Sequence, residues 1–130
     1  MKPAAVTLVI GPGNVLQDAD ALRCEPDSRI AFVIFNADDS DHQVWIEPGE
    51  IVLKSDRAQA RNPLVDGKHV LTIQSGDVKI LKQKIKPLAS FGKAANQLPY
   101  TTYKYTLWSA DPGGANPTAF DPDMDVCPPS

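Results

Sequence analysis

His42 closes the run Asn36-Ala37-Asp38-Asp39-Ser40-Asp41, so one imidazole stands behind three carboxylates in a single short loop. One nitrogen donor with Asp38, Asp39 and Asp41 is a set from which a weak divalent-metal site is built. The same residues also make an ordinary polar loop, because Asn and Asp side chains bond to nearby backbone and stabilise turns. The spacing is not that of a helix-loop-helix calcium loop, and one imidazole falls short of the ligand set of a zinc site. His69 precedes an apolar strand segment and has no ligating neighbour in sequence. Ser90 and Ser109 lie in no Gly-x-Ser-x-Gly elbow, so no nucleophile is indicated. The glycines of "IGPGN" and "DPGGAN" are turn glycines, since no helix N-terminus follows them to cradle a phosphate. No catalytic constellation and no cofactor motif emerges, and the chain is expected not to be an enzyme.

The elements that would position these residues are short. "AVTLVIG" is rich in β-branched residues, and "RIAFVIFN" is a near-continuous apolar run of the kind found at the centre of a sandwich. "DHQVWIEPG" alternates, with Val44 and Ile46 facing one way and Gln43 and Trp45 the other. "KHVLTIQSGDVKILKQKIK" reads as two strands joined at Ser75-Gly76-Asp77, and "YTTYKYTLWSA" and "TAFDPDMDVCP" supply the rest. No window shows a convincing helical stripe; the best short helices are Leu53 to Ala60 and Ser90 to Gln97. Seven or eight strands with at most a turn or two of helix make an all-β, Greek-key β-sandwich, one domain over residues 1–130.

"FVIFNADDSDH" and "YKYTLWSA" together resemble the cupredoxins, the blue-copper sandwich family. In the first, an apolar strand ends at Asn36 and a loop leads to His42 at the place of the first copper-ligating histidine. In the second, Tyr103 and Tyr105 match the family's aromatic positions. Leu107 stands at the cysteine position and Ala110 at the second histidine, "DPGGANP" offers no axial methionine, and Met124 lies within the final strand. The resemblance implies a cupredoxin-like fold with a degenerate metal site. Blue copper needs a thiolate and two imidazoles, and only His42 remains, so electron transfer through such a centre is excluded. Leu107 is expected to point into the core instead, where burial contributes roughly 1.5–3 kcal/mol.

That topology also implies that the strands ending at Cys24 and Cys127 run side by side in one direction, at the pole opposite the His42 loop. A Cys24–Cys127 disulfide is expected there, with two buried free thiols as the alternative. Lys79, Lys82, Lys84 and Lys86 belong to an edge strand that resists edge-to-edge pairing. With Asp121, Asp123 and Asp125 they also suggest a dipolar surface able to meet another copy or an acidic partner. Trp45 and Trp108, with Tyr100 and Tyr103, form either an aromatic binding surface or core and cross-strand pairs.

Thirteen Lys and Arg against sixteen Asp and Glu give a formal charge of -3, which argues against nucleic acid as partner. No apolar run approaches the ~18 residues of a membrane helix, and the N-terminus reads as a first strand rather than a signal peptide. The chain is then cytoplasmic if Met1 is native, or periplasmic or secreted if a signal was removed. The expectation is a bacterial, non-enzymatic binding or interaction module. Its partner is an unknown protein or small molecule, and a homo-oligomer is possible. The alternatives are a divalent metal-binding protein using His42 with its aspartates, and a self-assembling structural protein.

Overall fold

The β-branched and aromatic runs form strands throughout. The structure, a computed structural model, describes residues 4–18, 22–91 and 101–127. The strands are β1 (Ala4–Gly11), β2 (Val15–Asp18), β3 (Leu22–Cys24), β4 (Arg29–Asn36), β5 (His42–Ile46) and β6 (Val52–Leu53). They continue as β7 (Leu71–Ile73), β8 (Val78–Lys84), β9 (Thr101–Lys104), β10 (Leu107–Ala110), β11 (Thr118–Phe120) and β12 (Asp123–Val126).

One layer has the order β2-β1-β4-β8, in which β1 and β4 run parallel and β8 is an edge, as its lysines suggested. The facing layer is built from two four-stranded groups, β11-β10-β5-β7 and β3-β12-β9-β6. These groups share a long hairpin. β10 pairs with β11 and β9 with β12, and the Tyr105 N–H donates to the Pro122 carbonyl where the ladder changes group. Four paths, β2/β3, β5/β6, β9/β10 and β11/β12, are each made of two segments, so the twelve segments trace the expected seven or eight strands. The result is the all-β sandwich.

Alternation places the core. Val6, Leu8 and Ile10 of β1 and Ile30, Phe32 and Ile34 of β4 point inward and are buried. They meet Val44, Ile46, Leu107, Met124 and Val126 from the other layer, and Phe32 and Tyr105 lie with ring centroids 5.7 Å apart. Leu107 is fully buried, opposite Ile46 on one side and Phe120 on the other, as expected.

Two expectations change. Leu53 to Ala60 is not helical: β6 ends at Leu53, and the chain then turns about Asp56, whose carboxylate accepts from the Ala58 N–H. The carboxylate supplies locally the bond a helix would have made. The second helix reduces to a 3-10 turn, Leu88–Phe91, with residues 92–97 outside the described residues.

Candidate functional site

Strand β4 ends at Asn36, which fastens the loop before His42. Its side-chain amide donates to the Ser40 and Ile73 carbonyls at 2.8 and 2.9 Å, and its amide oxygen accepts from the Asp38 N–H. The loop delivers His42 inward at the start of β5, with only 1% of the residue exposed. Its Nε2 lies 2.8 Å from the Asp38 carboxylate, and its Nδ1 lies 2.5 Å from Asn14 Oδ1.

Asn14 is also buried, in a 3-10 turn between β1 and β2. Its Nδ2 donates to Asp111 Oδ1 at 3.1 Å and to the Asn116 carbonyl at 3.0 Å. With the amide nitrogen engaged there, the oxygen faces the imidazole, and the Ser109 hydroxyl donates to it as well, at 3.4 Å. Both nitrogens of His42 therefore face oxygen atoms. Each nitrogen that could ligate a metal is already engaged with an oxygen. The hydrogen bond from His42, then one from the Asp39 backbone, hold the Asp38 carboxyl below its ordinary 3.8. Hydrogen bonds from Asn116 and Asn14 lower Asp111 in the same way.

Of the four candidate metal ligands, the structure brings His42 and Asp38 together and not the other two. Asp41 turns to accept from the Ser75 N–H, and Asp39 lies exposed. Among the described residues no group of three or more His, Cys, Asp and Glu is placed to hold a metal ion. The residues present do not fit blue copper either. Leu107 and Ala110 are fully buried, without a donor atom between them, and the remaining imidazole is engaged on both sides. Asn14, Asp111 and Asn116 were not singled out from sequence. The one signal was that "PGN" and "GGAN" both end a glycine turn on Asn, and Asn14 and Asn116 both take left-handed backbone, φ 62° and 51°.

The cysteine strands lie parallel and adjacent as expected, with Val126 opposite Cys24 and the Cys127 N–H donating to the Cys24 carbonyl at 2.8 Å. The expected disulfide does not appear; Cys24 and Cys127 are free thiols. Val126 shares the inward, buried face with Cys24, and Cys127 follows the end of its strand, half-buried. Burial, then the neighbouring Cys127 and Asp125, push the Cys24 thiol up to about 12.

The tryptophans form a cross-strand pair, stacked with centroids 6.3 Å apart, and Lys68 lies over the Trp45 ring. Tyr103 is buried, Tyr100 lies outside the described residues, and His69 is exposed before β7. Asp123 is held by Lys54 and Lys104, Asp121 accepts from Thr106, and Asp125 accepts from Thr102. The acidic end strand is therefore engaged within the chain.

No family model matches the sequence, and no curated protein matches it. Among solved structures the chain is similar to Fet3p, a multicopper oxidase that functions in iron import, at 12% identity and a TM-score of 0.40. That similarity covers 99% of this chain and 29% of the other, so the chain spans under a third of that protein's length. A likeness this slight adds nothing to what the strand order shows. Among the described residues no helix is long and apolar enough to cross a membrane.

Proposed function

We propose that the chain is a non-enzymatic interaction module, a cupredoxin-like sandwich whose ligand-bearing pole serves architecture instead of redox chemistry. The observation that carries this reading is the engagement of both His42 nitrogens, on Asn14 and Asp38, in a ring with 1% exposure. Metal binding there would require breaking one of two hydrogen bonds and opening a buried cluster, each with a free-energy cost. Nothing replaces the missing ligands, because the side chains at the other two positions are aliphatic and packed.

The test is calorimetric titration of the purified chain and of His42→Ala with copper(II) and zinc(II). The expected result is no stoichiometric uptake by either protein, with a lowered unfolding midpoint for the variant. One equivalent bound by the wild type and lost in His42→Ala would replace this reading with the divalent metal-binding one.

A further inference from the structure

The outer face of the β2-β1-β4-β8 layer is unusually apolar for a surface. Inward positions alternate with outward ones, and the outward row includes Val9, Val33, Phe35, Val78 and Ile80. Register makes them neighbours: Val9 lies beside Phe35, Phe35 beside Val78, and Val33 beside Ile80. Phe35 is 38% exposed and Val78 and Ile80 are each 48% exposed. With Val15, this face holds four of the six exposed large hydrophobic residues among those described. Scattered exposed aliphatics are ordinary, but a contiguous group marks an interaction surface.

The two ends of the face differ. Beyond Phe35 and Val78 lie the exposed Asp39 and Asp77, on two loops that Asn36 fastens, one through Ser40 and the other through Gly76 and Asp77. At the other end, exposed Arg29, Lys82 and Lys84 surround the small side chain of Ala31. There they line, with Asp66, a hollow of about 400 Å³, and Lys84 also pairs with Asp27 at 3.3 Å, so the three cations outnumber the two carboxylates by one.

We propose that this face docks on a second copy of the chain, about a two-fold axis that lies in the interface and crosses the strands at the level of Val33 and Ile80. That operation reverses strand direction, so Ile80 meets Ile80 and Phe35 lies over the partner copy's hollow at Ala31. It also sets each acidic end against the other copy's cationic end. A face bearing opposite charges at its two ends is complementary to itself under this one operation, which is what an isologous interface requires. At strand spacings of ~4.8 Å and rises of ~3.3 Å, three strands of seven or eight residues and the four-residue β2 offer roughly 430 Å² per copy. The total of roughly 850 Å² lies below that of most specific interfaces, so the dimer is weak, reversible and dependent on concentration. This deepens the interaction-module reading by naming the partner, and it stands independently of the metal titration.

Sedimentation velocity across a concentration series tests it, with thermal unfolding to confirm that each variant folds. Ile80→Glu is expected to raise the dissociation constant on the order of a hundredfold, by burying a charge against apolar surface. Asp39→Lys and Lys82→Glu each set like charges together at both ends and are expected to sediment as monomers. Mixed in equal amounts, these two variants are expected to dimerise, because in the mixed pair both ends are again opposite in sign. A wild-type chain that stays monomeric to millimolar concentration overturns the proposal. So does a dimer indifferent to Ile80→Glu, or a mixture that fails to restore association. A monomer that instead captures a different protein through this face overturns it too. None of these outcomes bears on whether His42 binds metal, so the two readings fail separately.

Discussion

Asn14 adopts a φ of 62°, which asparagine tolerates better than most residues, and from there its amide reaches Asp111, Asn116 and His42. Removing it strands a buried imidazole and a buried hydroxyl, since Ser109 also donates to it. Asn14→Ala is therefore expected to cost about 2–4 kcal/mol, more than a surface polar deletion, in urea unfolding curves. A loss under about 0.5 kcal/mol would show that the cluster does not hold the pole together. The cysteines give a second prediction. Thiolate is the reactive species, and burial raises Cys24 to about 12, whereas Cys127 is raised too but stands half-buried. A disulfide-exchange reagent at pH 8 should modify Cys127 first and reach Cys24 only on unfolding. Equal rates would show that burial does not shield Cys24 in the folded chain.

Strands were more legible than their junctions. "RIAFVIFN" corresponds to β4 residue for residue, because a continuous apolar run bounded by polar turns has few other solutions. The alternation of Val44 and Ile46 against Gln43 and Trp45 also gave the correct inward face. Two strands joined at Ser75-Gly76-Asp77 were legible as well. Their partners were not, since β7 pairs with β5 and β8 with β4, in opposite layers. Such pairings bring together residues far apart in sequence, which periodicity does not encode. The polar cluster was hidden for the same reason: Asn14 and Asp111 are 97 positions apart. The helix expected near Leu53 failed because Asp56 could satisfy the backbone in a turn. Strand β10 tests the reading of Leu107 as architecture. It is fully buried between Ile46 and Phe120, so Leu107→Ala should cost about 2–5 kcal/mol by calorimetry or denaturant titration. A near-neutral substitution would mean that the position is not part of the packed core.

Across the whole molecule, three carboxylates fasten loops and strand ends, and each is held below 3.8 by hydrogen bonds. His42 lowers Asp38, Asn116 and Asn14 lower Asp111, and Lys104 and Lys54 lower Asp123. These contacts join the loop before β5 to that strand, the turn after β10 to the turn before β2, and the start of β12 to β9 and the segment after β6. A carboxyl whose folded value lies below its unfolded one stabilises the native state above the unfolded value. That stability disappears as pH falls through the folded value, where the native carboxylate is finally protonated. The fold should therefore keep these contributions at neutral pH and lose them progressively below about 3.8. Urea midpoints measured from pH 7 to pH 2.5 should fall most steeply in that acidic window. Asp38→Asn with Asp111→Asn should start lower at pH 7 and fall less on acidification, because two of the three titrating links are already gone. Parallel curves for the variant and the wild type would show that acid unfolds the sandwich through other groups, and that the His42 pole is not a pH-dependent contributor to its stability.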